Sequence, residues 1–111
     1  MKEDRVLFNF VTGRPEEVVT TVLRKISALT RENLVRWFKV GITSDPHGRF
    51  RKYVNYDRMI VVYKSPSLNS VRDLECELIE HNGDLADNFI GGGGGRSGRP
   101  PYFMYVVVQY R

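Results

Sequence analysis

The stretch that decides the fold is 102–110, Tyr-Phe-Met-Tyr-Val-Val-Val-Gln-Tyr. β-Branched and aromatic residues favour strands, and a nearly continuous apolar run is typical of a strand that is buried on both faces. We therefore predict a central strand over 102–110. Three further runs of the same residue types predict strands or extended segments over 6–11, 35–43 and 58–64.

Between these runs, apolar residues recur at helical spacing. Pro15 is followed by two glutamates, which suit the positive end of a helix, and the spacing predicts a helix over 15–29. A second, short helix is predicted over 46–54, with Asp45 or Ser44 as its cap.

A third helix is predicted over 70–82, where Ser70 and Asp73 resemble a capping box. The total is three helices and three or four strands in mixed order. This mixture predicts an α+β fold in which a small, mainly antiparallel sheet is flanked by three helices.

Composition limits the class of protein. The chain has 111 residues, which fits one domain over 1–111, and its single cysteine, Cys76, excludes an internal disulfide and a cysteine-based zinc site. No apolar run approaches the roughly 18 residues that span a bilayer, and the N-terminus lacks a hydrophobic signal core, so we expect no membrane and an intracellular location, in the cytoplasm or nucleus. The formal charge of +4 is consistent with a nucleic-acid partner.

Two motifs follow one another in the middle of the chain. The first is 38–50, Phe-Lys-Val-Gly-Ile-Thr-Ser-Asp-Pro-His-Gly-Arg-Phe, in which Gly41 at a strand end is followed eight residues later by Arg49 on a helix. The second is 74–79, Leu-Glu-Cys-Glu-Leu-Ile, with Asn88 downstream. In this order and on these element types, the two motifs resemble those of GIY-YIG nucleases.

The resemblance implies hydrolysis of a phosphodiester with one divalent metal ion, Mg²⁺ or Mn²⁺. The metal ligand is then Glu75, the phosphate contact is Arg49, and Asn88 supports the site. These residue types suit these roles, because a hard cation prefers carboxylate oxygen and a guanidinium offers a planar fork to phosphate oxygens.

The sequence departs from the family pattern at the tyrosine of the second strand, where Lys39 stands, and the first family strand is missing from its usual place. Two placements remain open for that strand. Either it is the run 6–11, or 102–110 takes its position in a permuted arrangement and offers the hydroxyl of Tyr102 or Tyr105. Lys39 is itself a candidate base near the phosphate.

Other candidate site residues lie around Arg49. His47 is a further candidate base, because a histidine changes its charge near neutral pH. On the same predicted helix, Arg51 and Lys52 are candidate substrate-binding residues.

A glycine-rich loop is predicted over 91–99, because five consecutive glycines hold neither a helix nor a strand unaided. It carries two further candidate substrate-binding residues, Arg96 and Arg99, and a basic flap over nucleic acid is one hypothesis for it.

We therefore expect a metal-dependent endonuclease that acts on DNA in preference to RNA. The alternative is a catalytically inactive module of the same fold that binds nucleic acid or a protein partner. A homodimer and a fusion to further domains are both left open, since a chain of this length has no room for a separate DNA-reading domain.

Overall fold

All the strands and helices expected from the sequence are present in the computed structural model, which describes residues 2–31, 33–90 and 98–111. In chain order, they are β1 (Val6–Val11), α1 (Pro15–Leu29), β2 (Val35–Thr43), α2 (Pro46–Phe50), β3 (Arg58–Ser65), α3 (Leu68–His81) and β4 (Tyr102–Tyr110). Short 3₁₀ helices add Lys2–Arg5 and Gly83–Asn88.

The four strands form one sheet in the order β1-β3-β4-β2. β4 runs antiparallel to both β3 and β2, whereas β1 runs parallel to β3 at one edge. The expected α+β fold with a mainly antiparallel sheet is therefore confirmed. β4, not β1, is the strand that lies between β2 and β3.

The central position of β4 agrees with its composition. Its residues 103–108 are all buried, because strands on both sides satisfy their backbone groups and helices cover both faces. The prediction of a central strand over 102–110 is confirmed.

Helices cover the two faces of the sheet unequally. Both long helices, α1 and α3, pack on one face of the sheet, which we call the α1/α3 face. They contact alternate residues of the central strands, whose side chains point to that face. Its buried residues include Val22, Ile26, Val40, Ile60, Val62, Leu74, Leu78, Met104, Val106 and Val108. The opposite face, which we call the α2 face, carries the short helix α2. Its buried residues are Val6, Phe50, Met59, Val61, Phe103, Tyr105 and Val107.

α2 is shorter than predicted and ends at Phe50 rather than at 54. The chain continues in turns, in which the Tyr53 N–H donates to the Phe50 carbonyl and the Tyr56 N–H donates to the Tyr53 carbonyl. These turns let both tyrosine rings pack against the buried cluster of the α2 face, which explains why the helix stops early. Asp45 is the cap, because its carboxylate accepts from the Gly48 N–H.

α3 begins at Leu68, two residues before its predicted start. The cap is Ser67, whose hydroxyl accepts from the Ser70 N–H, so the predicted capping box of Ser70 and Asp73 is wrong. The reason is local, since the helix starts directly after Pro66 and Ser67, and Ser70 already lies in its first turn.

No helix in the described ranges is long and apolar enough to cross a lipid bilayer.

Candidate functional site

A close approach between β2 and β4 lies at the centre of the α2 face. Gly41 is the register partner of Tyr105, and both side-chain positions face α2. The tyrosine side chain fills the space in which a β-carbon on residue 41 would stand, with its Cζ 2.5 Å from that position. Only glycine fits under the ring in this arrangement, so Gly41 is a packing requirement of Tyr105.

The Tyr105 hydroxyl joins two side chains from the α2 segment. It lies 2.8 Å from the Tyr53 hydroxyl, and the Arg49 Nη1 donates to it at 3.5 Å. Burial raises the pKa of Tyr53 well above its ordinary value, the hydrogen bond with Tyr105 raises it further, and the Arg49 charge lowers it in part. The Tyr53 phenol is therefore held in the neutral form, and the Tyr105 hydroxyl holds the guanidinium at the sheet surface.

Arg49 also forms part of the wall of a pocket of about 290 Å³. The lining is mainly polar, and its residues are Thr43, Ser44, Asp45, Gly48, Arg49, Lys52 and Gly98. Two of these are cations and one is a carboxylate. The carboxylate, on Asp45, accepts from the Gly48 N–H as the helix cap. Such a lining can hold an anion of the size of a phosphate group between Arg49 and Lys52.

Lys39 lies on the same face as this pocket. Its register partner is Val107, which is buried in the α2-face cluster beside Tyr105, and paired residues of antiparallel strands share a face. The side chain of Lys39 is exposed. It thus adds a third cation to the α2 face, next to the Gly41 position along β2.

The remaining basic candidates are less closely tied to the pocket. Arg51 is exposed at the end of α2, and Arg99 is exposed one residue after Gly98, which lines the pocket. The prediction for Arg96 and most of the glycine-rich loop, 91–97, lies outside the described residues.

His47 faces β1 rather than the Tyr105 hydroxyl. Its ring lies 5.6 Å from the Phe8 ring, centroid to centroid. Its Nδ1 is buried and has no hydrogen-bond partner in the described part of the chain. The geometry gives His47 an aromatic contact and does not connect it to Arg49.

Of the two candidate tyrosines of β4, only Tyr105 lies beside Arg49. Tyr102 packs against the α1/α3 face, and its hydroxyl donates to the Gly98 carbonyl at 3.1 Å. That bond ties the chain before β4 to the strand and thereby helps to position the Gly98 wall of the pocket.

Glu75 lies on the helix that covers the other face of the sheet. It lies on α3, whose buried residues belong to the α1/α3 face, whereas Arg49 lies on α2. Burial raises the pKa of the Glu75 carboxyl, and the cation that lowers it in part is Arg72 on the same helix. The structure therefore places Glu75 and Arg49 on helices of opposite faces of the sheet.

A divalent metal fits this arrangement poorly. In the described ranges, no group of three or more His, Cys, Asp or Glu side chains is placed to hold a metal ion. The carboxylate that the resemblance implies as the ligand, Glu75, lies on the helix of the opposite face. The carboxylate that does line the pocket, on Asp45, is already engaged as a helix cap.

Asn88 has a structural task at the edge of β2. Its side-chain amide donates to the Phe38 carbonyl at 3.0 Å, and two residues later the Ile90 N–H donates to the Val40 carbonyl. The segment around Phe89 thus runs beside β2 as a short parallel bridge. Asn88 thus supports β2, the strand that contains Lys39 and Gly41, through a hydrogen bond on the outer edge of the sheet.

Sequence reasoning missed Tyr53 as a member of the site. The sequence predicted a helix over 46–54 but assigned no role to the Tyr53 hydroxyl. The available signal was spacing, because a residue four positions after Arg49 lies on the same side of a helical turn. The partner on β4, 52 residues away, could not be read from that spacing.

Comparison of the chain with protein-family models, with curated proteins and with solved structures gave no match. The resemblance to GIY-YIG nucleases therefore rests on the quoted motifs alone, and the geometry of the α2 face is the further indication of function.

Proposed function

We propose that the protein binds nucleic acid through the α2 face and holds a backbone phosphate in the pocket beside Arg49. The observation that carries this proposal is the position of the Arg49 guanidinium. It donates to the Tyr105 hydroxyl at 3.5 Å and lines a polar pocket together with Lys52. A guanidinium fixed in this way loses little conformational freedom when it meets a phosphate.

The charge of the surrounding surface supports the proposal. Lys52 lines the same pocket as Arg49, and Lys39 on β2 lies on the same face of the sheet. The chain as a whole carries a formal charge of +4. Phosphate groups release counterions when such clustered cations neutralise them, which favours nucleic acid over a single small anion.

Hydrolysis of DNA is the second candidate function. It is favoured by one observation, the hydroxyl of Tyr105 on β4 beside Arg49, which is a hydroxyl that the permuted arrangement offers. Two observations weigh against it. The Tyr105 side chain is fully buried, so its hydroxyl positions Arg49 rather than meeting a substrate, and Glu75 lies on the helix of the opposite face. Binding is therefore the better supported function.

The test is the binding of a fluorescently labelled DNA oligonucleotide by fluorescence anisotropy at several salt concentrations. Arg49→Ala is expected to weaken binding by about 10- to 100-fold, because it removes a charge-assisted hydrogen bond to phosphate. The slope of log K against log salt is expected to fall by about one. Arg24→Ala is the matched control, since Arg24 is an exposed arginine on α1 and its loss changes the net charge equally. Equal losses in the two variants would contradict a site at Arg49.

A parallel set of reactions tests cleavage. The wild-type protein and Glu75→Ala are incubated with plasmid DNA in Mg²⁺, in Mn²⁺ and in a chelator. Cleavage that needs the metal and is lost in Glu75→Ala would make hydrolysis the function. Binding without cleavage would establish a binding module.

A further inference from the structure

The outer column of β2 presents an exposed tryptophan on the α2 face. Trp37 is 60% exposed, and its register partner Gln109 lies two residues after Val107 on β4. Because side chains alternate along a strand, Trp37, Lys39 and Gly41 lie on the same face in that order. Trp37 therefore lies at the end of a column that leads to the Arg49 pocket.

The surface next to Trp37 is fixed. The Gln109 side-chain amide donates to the Asn55 carbonyl at 2.7 Å, which anchors the turns after α2 against the end of β4. Trp37 thus stands beside an ordered, polar surface. Tryptophan is enriched among the residues that contribute most to binding at interfaces.

The column has a defined spacing. Alternate residues of a strand lie about 6.7 Å apart, roughly twice the axial rise of about 3.4 Å per nucleotide in a duplex strand. In a duplex, each base is paired and stacked on its neighbours, so an indole cannot take a base face without unstacking it. A strand of unpaired nucleotides has base faces available and can extend to the wider spacing.

We propose that the α2 face binds single-stranded nucleic acid, with a base stacked on Trp37 and the backbone phosphates held by Lys39 and Arg49. This inference rests on the proposed nucleic-acid binding and adds the substrate class to it. Charge complementarity carries it together with the indole, because cations placed beside an exposed aromatic ring are the combination that single-strand binding surfaces use. Single-stranded DNA is the proposed ligand, and single-stranded RNA shares the same chemistry.

The test compares a single-stranded DNA oligonucleotide, its RNA equivalent and a DNA hairpin of the same charge by fluorescence anisotropy. The wild-type protein is expected to bind both single strands more tightly than the hairpin. Trp37→Ala is expected to weaken single-strand binding by about 5- to 150-fold, and Trp37→Phe to restore part of it, since every aromatic ring offers a stacking face. Tyr110→Ala is the control, because Tyr110 is 40% exposed and pairs with Val35 of the α1/α3 face.

The intrinsic fluorescence of the protein provides a second readout, because Trp37 is the only tryptophan in the chain. Stacking predicts that this fluorescence changes on titration with the single strand and not with an equal concentration of hairpin. Unchanged single-strand affinity in Trp37→Ala, with binding lost in Arg49→Ala, would overturn the inference and leave the phosphate site standing. Equal affinity of the wild type for hairpin and single strand would also overturn it. Failure to bind any of the three ligands would overturn both proposals.

Discussion

The Tyr105 side chain occupies the space in which a β-carbon on Gly41 would stand. The two residues face each other across the β2–β4 pair, and the same tyrosine hydroxyl contacts Tyr53 and Arg49. The absence of a side chain at position 41 is therefore what allows the guanidinium to be held against the sheet. Gly41, the glycine of the first quoted motif, is required because it leaves room for the Tyr105 side chain. Its role does not depend on the greater backbone freedom of glycine.

Gly41→Ala is expected to lower the free energy of unfolding by about 1–3 kcal/mol, as overpacking in a filled interior does. The added methyl group would displace the Tyr105 ring and, with it, Arg49, so DNA affinity is expected to fall as well. Urea denaturation measures the first effect and fluorescence anisotropy the second. Gly83→Ala is the control, because its added β-carbon meets nothing within 4 Å in the described ranges beyond its own chain neighbours. Equal stability of Gly41→Ala and the wild type would disprove the close approach.

The raised pKa of Tyr53 predicts how stability depends on alkaline pH. A phenol whose pKa is higher in the folded protein keeps its proton where the unfolded chain, with an ordinary pKa of 10.0, has lost it. The stabilisation that Tyr53 contributes through its raised pKa is therefore complete below pH 10 and is lost as the pH rises above that value.

Tyr53→Phe is accordingly expected to lose less stability than the wild type between about pH 9 and pH 11. Part of the loss should remain, because burial also raises the pKa values of Tyr56 and Tyr63. Urea denaturation at several pH values in this range measures the difference. Parallel curves for the two proteins would show that Tyr53 titrates normally in the folded state.

The elements of this fold could be predicted from local residue patterns, but their arrangement could not. The ranges of α1 and β4 agree with the predicted ranges, because a 3.6-residue period and a β-branched run are properties of neighbouring residues. The order of strands depends on contacts between distant parts of the chain. Nothing in the run 6–11 indicates that it pairs with β3 in parallel and leaves the position beside β2 to β4.

For the candidate site as well, local relationships could be predicted from the sequence and contacts between distant segments could not. The first motif contains both Gly41 and Arg49, and both lie against Tyr105 because a strand and the helix that follows it are close in space. Spacing could not decide whether Glu75 reaches the same face. That depends on which side of the sheet α3 covers, and this is set by the burial of Val71, Leu74 and Leu78 against the residues that point away from α2.

Asn88→Ala is expected to lower the free energy of unfolding by about 1–2 kcal/mol, because it leaves the Phe38 carbonyl without its side-chain donor. The change acts on the edge of β2, so Lys39 and Trp37 would lose part of their support and DNA affinity is expected to fall slightly. Urea denaturation compares it with Asn69→Ala, which removes an exposed asparagine from α3. A strong loss of binding without a loss of stability would instead indicate direct contact between Asn88 and the ligand.

Glu75→Gln is expected to leave DNA binding unchanged and to raise stability slightly at neutral pH. Burial raises the pKa of Glu75, so its contribution to stability is complete below the ordinary value of 4.5 and is lost as the pH rises and the buried carboxyl ionises. The advantage of the variant should therefore be absent at about pH 4 and present at about pH 7. Urea denaturation at the two pH values checks this, with the exposed Glu80→Gln as the control. If Glu75→Gln instead abolishes a metal-dependent cleavage while the protein stays folded, the carboxyl reaches the substrate, and the binding function proposed for the α2 face has to be extended to hydrolysis.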